Sequence, residues 1–386
     1  MNDKNNVTNR AVFFIGGYDP KSPEAFYDRL DKEAGRYEVL RATEVDGRDP
    51  KSKNTITKRT YETRHNATMV QTDFHFVSLD NIVLKDFDQT FLIRLWRYLS
   101  TFFDYMVSGT GFAFVKHAWR FSLYFFYPFM MLLIGTLLSI AVASMIWNSG
   151  VSLAWLTAPI IFLATFSAFI QMIAKKYFVL HLMDLWSFSR DFIYRSRTDI
   201  NEKLQFVGAA VANAANGRKY DEIVLVGHST GGALILDAAY RAKQDANNEA
   251  TPISVLTVGS TALKIGLHPK ARWFRQQIQT LNDDSRLFWI EYQCRTDLIN
   301  FFKTHPAKLM GVTDAAKPDV REIRIKHMVS DKTYNRIKRN FFRIHYQFVF
   351  GNTKHYHYDF PDICFGSTAL IDREVPKPAA SKMKRD

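Results

Sequence analysis

The segment Val224-Leu225-Val226-Gly227-His228-Ser229-Thr230-Gly231-Gly232 sets one serine between glycines two residues before and two residues after it. An apolar run leads in and a helix-forming run, Gly232 to Lys243, leads out, so the serine falls on a sharp strand-to-helix turn. Such a turn strains the serine backbone. Bare positions at 227 and 231 let neighbouring chain pass while the hydroxyl stays exposed. An exposed serine hydroxyl becomes a nucleophile once a base removes its proton. The main-chain N–H of Thr230, at the start of the following helix, points to the same place and can donate to an oxyanion. A second donor is expected from Gly16-Gly17, which stop the apolar run Ala11-Val12-Phe13-Phe14-Ile15, because glycine lets backbone approach a substrate closely.

Through the turn Gly227 to Gly231 and the strand-Gly-Gly turn at 11–18, the sequence resembles the α/β-hydrolase superfamily. By topology the resemblance covers most of the chain outside one long apolar stretch, with these two motifs matching sharply. The sequence departs from the common pattern in carrying Gly16-Gly17-Tyr18 rather than a His-Gly pair. It also begins near the strand that bears the oxyanion loop, so the first strands of the full fold are expected to be absent. The resemblance implies a triad in chain order serine, acid, histidine. Asp297 fits the acid, because it follows the strand Leu287 to Tyr292 through Gln293-Cys294-Arg295-Thr296. Asp283 and Asp284 precede that strand, and Asp314 and Asp331 are weaker rivals. Five histidines come after Asp297: His305, His327, His345, His355 and His357. His327 follows the last predicted strand. His345 lies in the aromatic-rich stretch Asn340 to Phe348, where a buried imidazole needs a polar partner such as Asp297. His345 is therefore the preferred base and His357 the second choice, although His355 and His357 also read as an exposed aromatic loop that touches lipid or substrate. No metal or organic cofactor is implied, since no P-loop, dinucleotide or HExxH pattern occurs.

The elements that must hold these residues alternate. Ala11–Ile15, Tyr37–Thr43, Met69–Ser78, Glu222–Val226, Pro252–Val258 and Arg286–Tyr292 read as strands, with Val320–Ile325 as an edge strand. Ser22–Leu30, Asp199–Ala215 and Gly232–Lys243 read as helices, and the basic, polar segment Asp46–Arg64 as a mobile loop. Strands alternating with helices predict an α/β fold, a mostly parallel sheet with helices on both faces.

From Phe121 to Ala174 no Asp, Glu, Lys or Arg occurs. A bilayer span needs about 20 apolar residues, so this run holds a two-helix transmembrane hairpin, with spans near 122–147 and 153–173 joined by the polar turn Trp147 to Val151. Lys116, Arg120, Lys175 and Lys176 crowd its outer ends, which predicts two spans with both termini and the flanking catalytic segments on the cytoplasmic side. Just upstream, 91–114 mixes aromatics with Arg94, Arg97 and Asp104. That pattern fits an interfacial helix, and equally an amphipathic helix packed on the soluble part. The expected organisation is thus 1–120 as the N-terminal part of the hydrolase domain, 121–174 as the hairpin, 175–374 as the C-terminal part, and 375–386 as a disordered basic tail.

The 386 residues carry a net charge of +13, and 47% are hydrophobic, which excludes collagen-like and wholly disordered classes. Positive charge favours an anionic partner; the hairpin makes that partner membrane lipid, and no nucleic-acid motif argues otherwise. The expected function is a membrane-anchored serine hydrolase of esterase or lipase type that cleaves a lipophilic acyl ester. The alternatives are a catalytically inactive membrane scaffold that keeps the fold, or an acyltransferase using the same serine.

Overall fold

The computed structural model describes residues 6–48, 51–53, 55–65 and 68–374; the basic tail expected at 375–386 lies outside the described residues. In chain order the first elements are β1 (Asn9–Ile15), α1 (Pro23–Arg41), β2 (Glu44–Gly47), β3 (Lys51–Lys53), β4 (Ile56–His65), β5 (Thr68–Val77) and α2 (Asp80–Phe87). A helical stretch follows, comprising α3 (Phe91–Val107), α4 (Thr110–His117), α5 (Trp119–Trp147), α6 (Ala154–Phe169), α7 (Val179–Tyr194) and α8 (Thr198–Asn216). Alternation then resumes with β6 (Glu222–His228), α9 (Gly231–Asp245), β7 (Ile253–Val258), β8 (Phe288–Cys294) and β9 (Asp319–Ile323), the helix Arg272–Asp283 preceding β8. The chain forms two compact units. One comprises Met1–Leu84, Arg197–Leu267 and Ala271–Asp386; the other comprises Lys85–Ser196 and His268–Lys270.

The first unit is a mixed α/β structure. Among the described residues its sheet has nine strands in the order β2-β4-β5-β1-β6-β7-β8-β9, with β3 paired to β4. From β5 through β9 every neighbour is parallel, whereas β2, β3 and β5 each pair antiparallel with β4. Parallel strands are buried on both faces, and β6 and β7 accordingly consist of buried residues throughout. In the register of β1 and β6, Ile15 stands opposite Gly227. Two glycine-bearing strand ends far apart in sequence therefore lie side by side.

Two expectations fail here. The strand expected at Tyr37–Thr43 is instead the last turns of α1, which runs from an N-cap at Ser22 to Ala42 in left-handed conformation. Tyr27, Leu30, Ala34 and Tyr37 are buried at helical spacing, and this longer stripe outweighs the local β propensity. The loop expected at Asp46–Arg64 forms β2, β3 and β4 among its described residues. Two of its cations are held by other elements: Lys58 lies 2.7 Å from Asp73 and Arg59 pairs with Asp31. Meanwhile Tyr61 and Thr63 point inward at a spacing of two.

In the second unit polarity is turned inside out. On α3, Arg97 donates to Asp191 of α7 at 2.8 Å, and Tyr98 donates to buried Asp184 at 2.8 Å. Asp104 accepts from Arg190 and Tyr194. The opposite stripe of α3, Leu92, Trp96, Phe103 and Val107, is 60–85% exposed. Helix α5 and the run Ala154–Ala174, in which a π-helical turn extends α6, are long and apolar enough to cross a membrane, yet only 11% of each apolar window is buried. A Cβ on Gly135 of α5 would lie 2.4 Å from the Phe169 ring of α6, so a small residue sets the close approach of these two helices.

Arg10 closes the sheet of the first unit. Fully buried on β1, its Nε donates to Glu222 at 2.7 Å and its other nitrogens to the carbonyls of Gly366 and Thr368. Glu222 also accepts from the Leu370 N–H. Removing one member of a buried pair strands the other charge. Arg10→Met should therefore destabilise the first unit by about 3–5 kcal/mol, and Arg10→Met combined with Glu222→Leu by less; thermal or denaturant unfolding of the detergent-solubilised protein tests this, and equal loss in single and double variants would contradict it.

Candidate active site

Strand β6 ends in a backbone that only a crowded turn imposes. Ser229 has φ 58°, in the left-handed region that costs a non-glycine residue energy. Its N–H donates to Val258 O at 3.2 Å, and its carbonyl accepts from Gly232 and Thr261. The flanking glycines are required by contact. A Cβ at 227 would lie 2.6 Å from Gly231 O, and one at 231 would lie 2.1 Å from Ile15 O and 2.3 Å from Gly16 O. Helix α9 thus starts directly against the end of β1, bringing the loop after β1 to the serine. A Cβ built on Gly17 would stand 3.5 Å from Ser229 Oγ.

The N–H groups of Gly17 and Thr230 donate to no acceptor among the described residues. Both flank the serine, and unused donors there are suited to a developing oxyanion. Behind Thr230, the buried Lys264 Nζ donates to Thr230 Oγ1 at 2.8 Å.

Asp297 sits in the loop after β8. Asn300 holds this loop by donating to the carbonyls of Cys294 and Asp297. One carboxylate oxygen, Oδ1, accepts the Ile299 N–H at 2.9 Å, and the other, Oδ2, meets His345 Nδ1 at 2.7 Å. His345 belongs to the helix Phe341–Tyr346, which Asn340 caps by accepting from the Arg343 N–H. Both side chains are buried. With Nδ1–H donating to the carboxylate, Nε2 carries the lone pair, and that buried nitrogen has no hydrogen-bond partner among the described residues. It is the tautomer a general base needs.

His228, which directly precedes Ser229 in the chain, packs against this histidine. Its ring lies 4.6 Å from that of His345, and its Nε2 contacts His345 O at 3.2 Å. Burial first, then the neighbouring His345, holds the His228 imidazole well below its ordinary range, hence neutral. Gly259, with φ 52°, leaves room for the base: a Cβ there would be 3.0 Å from His345 Cε1 and from the Phe348 ring. Sequence reading passed over His228, Gly259 and Lys264. Only Gly259 carried a signal, as a glycine directly ending the run Ile253–Val258.

The other candidates lie apart from this pair. Asp284 pairs with Lys243, and Asp331 is exposed and pairs with Lys354. Asp283 closes the helix Arg272–Asp283, and Asp314 is an exposed turn residue with φ 48°. His305 caps a short helix, His327 and His355 are exposed, and His357 packs at a tilt on Tyr356 with ring centres 4.1 Å apart.

The family model described as lipase (class 3) matches residues 152–283. This match supports a lipase-like family of the α/β-hydrolase type and suggests hydrolysis of lipid esters. It contains the Ser229 turn and ends before Asp297 and His345. No curated protein and no solved structure matches the chain.

Burial pulls the Lys264 ammonium down to about 7, against 10.5 for an ordinary lysine. Below about pH 7 both folded and unfolded chains carry this proton, and the full cost of burying the charge is present. Between the two values the unfolded chain binds more protons, so stability rises with pH. Unfolding measured from pH 7 to 9.5 should show that rise, and Lys264→Met should flatten it; an unaltered slope in the variant would exclude Lys264 as its source.

Proposed function

We propose that this protein is a membrane-anchored serine hydrolase that cleaves a lipophilic acyl ester. Ser229 Oγ attacks the carbonyl carbon while His345 Nε2 takes its proton. Asp297 accepts from Nδ1–H and stabilises the imidazolium that forms. The N–H groups of Thr230 and of the Gly16-Gly17 turn receive the oxyanion. Collapse of the tetrahedral adduct expels the alcohol, protonated by His345, and leaves an acyl group on Ser229. Water, deprotonated by the same imidazole, then releases the acid.

The observation that carries this reading is the Asp297–His345 pair, with its second imidazole nitrogen unsatisfied, in the unit that also holds the strained serine turn. The five candidate histidines left a non-catalytic scaffold as a serious alternative; a single one hydrogen-bonded to a carboxylate weakens it. An acyltransferase would use the same groups with an alcohol in place of water.

Membrane attachment is supported by the exposure of two long apolar helices and by the outward apolar stripe of α3, next to charges paired inward. Water penalises that arrangement and a bilayer favours it. Cations at 116, 120, 175 and 176 support a cytoplasmic position for both ends of the hairpin, and with them for both termini and the hydrolase unit.

A fluorophosphonate probe should label the protein in isolated membranes, and Ser229→Ala and His345→Ala should abolish that labelling. Asp297→Asn should lower kcat by about 10⁴-fold with the protein still folded. Labelling that survives loss of Ser229 would refute the nucleophile. In alkaline carbonate extraction the protein should stay in the membrane pellet; release into the supernatant would argue against the spans.

A further inference from the structure

Beside the serine turn lies a cleft of about 370 Å³, open mouth included, whose lining includes Gly16, Gly17, His228, Arg29, Lys21 and Asp19. Arg29 is an unusual cation. Its guanidinium stands over Phe26, Phe350 and Tyr346 at 5.1, 5.5 and 5.9 Å from the ring centres. Burial pulls its pKa below the ordinary arginine value. Among the described residues it makes no hydrogen bond and no ion pair.

The carboxylates near enough to act on it are engaged elsewhere. Asp19 accepts the Tyr346 hydroxyl at 2.7 Å and lies 3.7 Å from Lys21. Glu33 accepts from Arg36 and from the Gly351 N–H. Two cations and one carboxylate thus leave the cleft with an excess positive charge, and neutral His228 adds none. A desolvated guanidinium without a counter-ion is costly unless something brings one. Its planar donors suit the paired oxygens of a phosphate or carboxylate.

We infer that Arg29, assisted by Lys21, binds an anionic phosphate or carboxylate group carried by the ester substrate, so that Ser229 acts on anionic acyl esters in preference to neutral ones. This rests on the hydrolase reading and narrows its substrate class. Gly16 and Gly17 line the same cleft, so a group held by Arg29 belongs to the molecule whose carbonyl meets the oxyanion donors.

A matched pair of soluble esters tests it: dihexanoylglycerol phosphate against neutral dihexanoylglycerol, hydrolysed by the full-length protein in detergent. The native protein should favour the anionic ester in kcat/KM. Arg29→Gln should lower the ratio of the two kcat/KM values by about tenfold or more, and Arg29→Lys should restore part of it. Because the same active molecules cleave both esters, the ratio is independent of how much of a variant folds. An unchanged ratio in Arg29→Gln, or no native preference, overturns the assignment. Inorganic phosphate separates the two sources of the anion: competition at millimolar concentration without any preference between the esters means a site for a free ion and also overturns it. Failure of the hydrolase reading looks different, since the native protein would then cleave neither ester and take no fluorophosphonate label, and both proposals would fall.

Discussion

The close approach of Gly231 to the carbonyls of Ile15 and Gly16 is the constraint on which the candidate site depends. Helix α9 can start at that height only if nothing larger than hydrogen projects from its first residue. Once it does, the serine turn, the exit of β1 and the two unused N–H groups are fixed relative to one another. The strained Ser229 backbone is held in place by surrounding contacts: its carbonyl accepts from both Gly232 and Thr261, and Gly227 has Ile235 and Gly232 pressed against it. Local strain of this kind persists when neighbours over-determine it.

The rest of the site arrives along the same parallel sheet. β7 contributes the left-handed Gly259 that makes room for an imidazole, β8 contributes the loop that presents Asp297, and a short capped helix after β9 contributes His345. Each enters from the carboxyl end of a strand, where crossovers of parallel strands leave their loops free to carry chemistry. On the other side of β1, the antiparallel strands β2, β3 and β4 extend the sheet, and Lys58 and Arg59 of β4 are held by acids on β5 and α1.

What sequence could disclose follows from the range of the interactions. The serine turn was legible because its demands are local: two glycines, a strand before and a helix after. The apolar hairpin was legible because charge is absent over a long continuous run. Helix α1 beyond Leu30 was not, since Tyr37 to Thr43 is rich in β-forming residues and only burial against the sheet decides for helix. The strands between Asp46 and Arg64 were hidden by their charge, whose partners Asp31 and Asp73 lie in other elements. Asp297 and His345 stood among several candidates, and what distinguishes them is a hydrogen bond across 48 residues. The isolation of Arg29 is a property of where Asp19 and Glu33 spend their hydrogen bonds, which no local pattern records.

The helical unit is inserted between β5 and β6, two strands that flank β1 in the finished sheet. During synthesis β1 can therefore pair with β5 on one edge while its other edge waits for β6, more than a hundred residues later and beyond both apolar helices. For that interval the nascent chain carries an unprotected strand edge bearing Val12, Phe13 and Phe14, followed by two long apolar helices. Completion of the sheet is thereby tied to synthesis of both long apolar helices: a ribosome stalled within α5 or α6 leaves a half-sheet that has no serine turn and exposes that edge to chaperones and quality-control proteases.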